Sequence, residues 1–242
     1  MAPTLDTMNA GIDGCGGGWL AVWGDLKRCE HRVFATAEEL WSGIGMCRLA
    51  LIDIPIGLPT GCPRQCDLDA RKLLGQPRGS SVFPTPCRTT IAARNYQEAC
   101  RMNFSACGKR ISQQCWGIVP KIREVDALML SRDDARLHIR ESHPEVCFWS
   151  MNGRAAMRNR KARSAGIKER LAVLEKRWPK SLQTYDAMRG AYARSDVASD
   201  DIVDAMALFV AACQSKSRLQ TVSETCDTDS AELPMEMVYA EF

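Results

Sequence analysis

Apolar positions begin the chain in short runs broken by glycine. Residues 10–13, 19–23 and 32–36 read as three strands joined by short turns, so they predict an antiparallel meander. Thr36 with Glu39 three residues on has capping-box spacing, and predicts a helix over 36–44. Residues 48–52 (Arg-Leu-Ala-Leu-Ile) form a continuous apolar run, expected as a buried strand parallel to the first, because a helix crosses over between them. Further helices are predicted over 63–74, 91–101 and 112–130, the last with a kink or break at Pro120. Residues 76–90 read as a loop. Alternation from Leu137 predicts a half-exposed strand. A basic loop over 152–165 precedes an amphipathic helix over 167–178 and a weaker one over 181–192. Residues 199–212 are apolar and small after an acidic start, so this helix should pack flush on the sheet. Residues 1–8 read as a frayed end, and 214–242 as a partly mobile tail with a last strand over 233–238.

The 242 residues suit one domain over 1–242, with 60–135 as a helical insertion. Hydrophobic residues make up 45% and charged residues 25%, which allows a packed core. No apolar run approaches the ~20 residues of a membrane span. The first residues lack the basic and apolar blocks of a secretory signal, so a cytoplasmic protein is expected. The twelve cysteines are scattered through apolar segments (Cys47, Cys115, Cys147, Cys213) and read as small buried hydrophobes in a reducing compartment. Cys62 and Cys66 have no second pair and no nearby histidine, which argues against zinc. Residues 151–194 carry 12 Lys or Arg against 3 Asp or Glu, whereas 220–242 carry 6 acids and no Lys or Arg. A basic block beside an acidic site suits a polyanion such as nucleic acid; a solvated helix face is the bland alternative.

Four acid positions fall at strand ends or helix starts: Asp13, Asp53, Glu145 and the Asp201/Asp204 pair, which shares a helix face. Gathered carboxylates raise one another's pKa unless cations neutralise them. Hard cations with oxygen ligands, Mg2+ or Mn2+, are their natural partners, and such ions can promote phosphodiester cleavage. Each acid also has a plain alternative as a turn, cap, dipole or ion-pair residue. His143 could contact substrate or orient a loop.

Several segments together resemble the DUF429 family, whose members are described as predicted nucleases of the ribonuclease H-like fold. They are Gly11-Ile12-Asp13-Gly14-Cys15 with Gly17-Gly18-Trp19, Asp53-Ile54-Pro55-Ile56-Gly57-Leu58-Pro59 and Ser80-Ser81-Val82-Phe83-Pro84. The others are Pro120-Lys121-Ile122-Arg123-Glu124-Val125-Asp126, His143-Pro144-Glu145-Val146-Cys147-Phe148-Trp149 and Asp200-Asp201 with Asp204-Ala205. The resemblance implies an α/β fold: a mixed five-stranded sheet, three antiparallel strands then parallel ones, with helices on both faces. It implies that Asp13 and Asp53 are the superfamily's first- and fourth-strand acids, and that Asp201 and Asp204 open the last helix as in RuvC-type resolvases. Glu145 belongs to a family motif. Gly16 stands where the family commonly has a basic residue.

The expectation is a metal-dependent nuclease, a hydrolase using Mg2+ or Mn2+. Asp13, Asp53, Glu145, Asp201 and Asp204 would be both catalytic residues and ligands. Arg71, Arg78, Arg88, Lys121, Arg123 and His143 would bind the substrate. The alternative is a non-catalytic nucleic-acid- or anion-binding regulatory protein on the same fold. DNA or RNA, the number of ions and the oligomeric state, a homodimer included, stay open.

Overall fold

The structure is a computed structural model that describes residues 8–45, 47–61, 63–215 and 219–242. Most of the frayed end, Cys62 of the C-x3-C pair, and 216–218 of the tail lie outside the described residues. Strands β1 (Asn9–Cys15), β2 (Gly18–Gly24) and β3 (Cys29–Phe34) form the expected meander. Helix α1 (Ala37–Ile44) is capped by Thr36, whose hydroxyl accepts the Glu39 N–H at 3.1 Å. It leads to β4 (Leu49–Ile52), parallel to β1. Helices α2 (Gln65–Arg78), α3 (Tyr96–Cys107), α4 (Gln113–Ser131) and α5 (Asp133–His138) precede β5 (Ile139–Glu141), parallel to β4. Then come α6 (Pro144–Met151), α7 (Ser164–Arg177), α8 (Ser181–Ala191) and α9 (Ser199–Gln214). The strand order is β3-β2-β1-β4-β5, the mixed five-stranded sheet that the resemblance implies.

Alternation along the strands sorts the core into two layers. Leu20, Val22, Leu49 and Leu51 join the apolar cluster of α6, α7 and α9. Ala10, Ile12, Trp19, Ala21, Ala50 and Ile52 join that of α1 and α4. Gly11 decides how closely α9 seats. A Cβ there would stand 2.1 Å from the Phe209 nitrogen and 2.3 Å from the Ala205 oxygen. The helix therefore rides directly on β1, as its small residues suggest.

Four segments differ from expectation. Helix α4 runs through Pro120 as one element. Helix α3 starts later, where Asn95 accepts the Glu98 N–H at 2.9 Å, and a 3-10 turn occupies 88–92. The alternation from Leu137 is the end of α5, begun by Asp133 and Asp134, so β5 is short and buried. After Cys213 the chain carries more strand than expected. β6 (Leu219–Thr221) pairs with β9 (Val238–Ala240), and β7 (Asp227–Thr228) with β8 (Pro234–Met235). The acids of this segment meet arginines: Asp229 pairs with Arg88, Glu236 with Arg140 and Glu241 with Arg154. Part of the charge asymmetry is thus neutralised inside the fold. Among the described residues, no helix is long and apolar enough to cross a membrane. The cysteines described are free, and burial pushes the Cys47, Cys115, Cys147 and Cys213 thiols up to about 12.

Candidate active site

Three parallel strands end side by side, and the site begins there. The β1–β4 ladder closes with the Asp53 N–H donating to the Ile12 carbonyl at 3.0 Å. The β4–β5 ladder closes with the Ser142 N–H on the Ile52 carbonyl at 3.0 Å. Asp13, Asp53 and His143 therefore emerge at one sheet edge, where ligands bind in open α/β sheets. Asp13 shares its strand face with Gly11, so it looks toward α9. The helix touches Gly11 through Ala205 and Phe209, which brings its opening acids, Asp201 and Asp204, to Asp13.

These side chains line one cavity of about 340 Å³, together with Glu145, Lys121, His143 and Lys161. Burial raises the Asp13 pKa well above the carboxylate range, and Asp53 and Asp204 push it further. Burial also raises Asp53, against the lowering effect of His143 and Lys161, while Asp204 and Glu145 add to the rise. Asp201 is pushed up to about 6 by burial, although its carboxylate accepts the Ala198 N–H at 2.8 Å. It thus serves partly as a helix cap. Asp204, one turn deeper, is fully buried, and its Oδ1 has no hydrogen-bond partner.

Lys161 donates to Asp204 Oδ2. Burial works against its ammonium, but Asp204, Asp13 and Asp53 outweigh that and hold its pKa above the usual lysine value. Its loop is folded onto α7, where Glu169 accepts the Arg158 and Asn159 N–H groups, both at 2.8 Å. Lys161 was not singled out in the sequence because it is one cation among many in a segment without periodicity. Glu145 lies in the first turn of α6 and pairs with Arg170 of α7; both are buried. Its Oε2 has no partner. The Glu145 N–H donates to His143 Nδ1 at 3.1 Å, which leaves the proton on Nε2.

The expected substrate-binding residues divide. Lys121 and His143 reach the cavity. Lys121 donates to the Gly18 carbonyl and lies 4.7 Å from the Trp19 ring centroid, in space that Gly14 leaves open. Arg71, Arg78, Arg88 and Arg123 are not among the lining residues. Arg71 holds the Val82 carbonyl at 2.7 Å, Arg88 is shared by Asp126 and Asp229, and Arg123 holds the Ile91 and Ala93 carbonyls. Arg78 is buried at the end of α2. Arg71, Arg88 and Arg123 are thus engaged by neighbouring backbone or carboxylates. Sequence reasoning also passed over Arg64, whose guanidinium is shared by Glu141 and Asp67, each at 2.6 Å. All three are buried and line the cavity.

A divalent ion suits these donors in chemistry, since all are hard carboxylate oxygens. The unpartnered Asp204 Oδ1 and Glu145 Oε2 are buried acceptors that such an ion would satisfy. Among the described residues, no three His, Cys, Asp or Glu stand together as a preformed metal group. Lys161 provides the positive charge instead, so binding an ion requires that ammonium to move.

No curated protein and no solved structure matches the chain. A family model described as a protein of unknown function, DUF429, matches residues 11–224, and the chain belongs to that family.

Proposed function

We propose that this protein is a divalent-metal-dependent nuclease that hydrolyses phosphodiester bonds of nucleic acid with Mg2+ or Mn2+. One observation carries the reading. Asp13, Asp53, Asp201 and Asp204 meet in one cavity, where the Lys161 ammonium offsets Asp13, Asp53 and Asp204 and burial still raises Asp13 and Asp53. A buried focus of excess negative charge must take up protons or a cation. Asp13, Asp53 and Asp204 would hold the ion, with Glu145 Oε2 as a further acceptor beside the Oε1 that Arg170 holds; Asp201 is already engaged by the Ala198 N–H. When bound, the ion would supply Lewis acidity toward a phosphate and a neutralised site.

The protein's own groups supply the rest. Lys121 and a displaced Lys161 are cations for the phosphate oxygens. His143 lines the cavity wall with its Nε2 on the Ser81 carbonyl at 3.4 Å, a donor that a phosphate oxygen would have to draw away. The buried Glu145–Arg170 pair fixes the start of α6, on which His143 sits. Free, buried cysteines suit action in the cytoplasm.

The test is cleavage of a labelled oligonucleotide with Mn2+ and with chelator. Wild-type protein should cut only with the ion, and Asp13→Asn should lose roughly 100-fold or more. Cleavage that survives in Asp13→Asn would remove Asp13 from the mechanism. The Lys161–Asp204 pair favours a second reading, a metal-independent binder of nucleic acid or other anions. Oligonucleotide binding that ignores the chelator, without cleavage, would support it.

A further inference from the structure

The acids make up only part of the cavity wall. Val82, Phe83, Pro84 and Pro86 from the loop after α2, with Ile118 of α4 and Met237 of the C-terminal segment, make an apolar wall. Phe83 is 37% exposed and lines the cavity, so its ring is open to a ligand there. The loop is held as a built wall. Arg71 donates to the Val82 carbonyl at 2.7 Å, and the Thr85 N–H donates to Asp67 at 3.0 Å. Val82 and Met237 share one apolar cluster with α2. Ile118 stands one turn before Lys121 on α4, so a single helix face offers both an apolar surface and a cation to the cavity.

A phosphate alone has no use for this wall. A duplex presents its phosphates outward and keeps its bases stacked, so its bases cannot enter a partly open cavity of about 340 Å³ that lies at the small end of ligand sites. A single nucleotide has both required parts: an anionic phosphate and a flat apolar base. Exposed aromatic rings are the usual platform for an unstacked base.

We infer that the cavity takes one nucleotide unit, its base against Phe83 and the 82–86 loop and its phosphate at Lys121 and the acid cluster. The unit is a free nucleoside monophosphate or the unstacked nucleotide of a single strand. This deepens the nuclease reading by naming its substrate class, and it rests on that reading only for the placement of the phosphate.

The test is calorimetric titration with adenosine 5′-monophosphate and, separately, inorganic phosphate, both with Mn2+ present. The nucleotide should bind at least about tenfold more tightly than phosphate, Phe83→Ala should erase that margin, and Phe83→Tyr should keep it. Equal affinities for nucleotide and phosphate, or a margin that survives in a folded Phe83→Ala, would overturn the inference whether or not the protein cleaves nucleic acid. A single-stranded oligonucleotide that competes with the nucleotide, where a blunt duplex does not, identifies the strand as the source. Competition by neither assigns the site to free nucleotide. Selective nucleotide binding without cleavage leaves this inference standing and removes the nuclease.

Discussion

Lys161 gives its ammonium to Asp204, 43 positions further along the sequence, joining the basic loop before α7 to the first turns of α9. The pair sits where Asp13 and Asp53 also concentrate charge, so the protein carries its own cation at the focus of its acids. A metal ion taken up there would compete with this cation for Asp204.

Removing it has two opposite consequences. In chelator, Lys161→Gln should be less stable than wild type, because Asp204 loses its ion-pair partner and Asp13 and Asp53 lose a compensating charge. With Mn2+ it should bind the ion more tightly, by roughly tenfold, since no ammonium has to leave. Calorimetry with Mn2+ and melting in chelator read the two effects. Weaker Mn2+ binding in the variant would show that Lys161 helps to hold the site rather than to block it.

Gly11→Ala tests the seat of α9. The added Cβ would stand 2.1 Å from the Phe209 nitrogen, backbone that cannot give way. The expected loss is about 2–3 kcal/mol in denaturant unfolding, from overpacking of a close helix–strand contact. A loss under about 0.5 kcal/mol would mean that α9 can slide, and that the acids at its start are not fixed against Asp13.

The Glu145–Arg170 pair is buried, so breaking it is costly while replacing both partners is not. Arg170→Met should lose roughly 3–5 kcal/mol by stranding the carboxylate. The double variant Glu145→Gln with Arg170→Met should recover a large part of that loss. A double-mutant cycle in urea measures the coupling. Additive losses would show that the two groups do not depend on each other.

A pH dependence follows from Arg64, which two carboxylates share. Burial raises the Glu141 pKa to about 7, against the pull of the Arg64 guanidinium, and Asp67 adds to the rise. Between about pH 4.5 and 7 the folded protein keeps a proton that the unfolded chain has lost. Stability from this group is therefore fully present below pH 4.5 and falls by roughly 1–3 kcal/mol as pH rises to 7. Glu141→Gln should flatten that part of the profile, and unfolding free energies at several pH values test it. An unchanged slope would assign the dependence to other acids.

The fold was largely legible because its signals are local. Thr36 capping, the glycine-broken apolar runs of β1 and β2, the continuous apolar run of β4 and the small apolar residues of α9 each announce an element within a few positions. The acids were legible because each stands where a strand ends or a helix starts. What lay hidden depends on contacts distant in sequence. Nothing near Lys161 announces that Glu169 folds its loop onto α7 and brings its ammonium to Asp204. Nothing near Arg88 tells that Asp229 from the C-terminal segment will hold it, or that it will be kept from the cavity. The motif around Pro120 shows the same division. Lys121 faces the cavity, while Glu124 accepts the Trp19 indole N–H at 2.8 Å and the Ala37 N–H at 3.0 Å, a structural task. Residue type alone does not separate the two.

If the protein is a metal-dependent nuclease, β1, β4 and α9 make one binding place for a divalent ion. Titration of free Mn2+ by electron paramagnetic resonance measures this without any assumption about substrate. Wild-type protein should take up the ion, and Asp13→Asn and Asp204→Asn should each weaken uptake by at least about tenfold. Uptake that both variants leave unchanged, or none at all by wild-type protein at neutral pH, would contradict it.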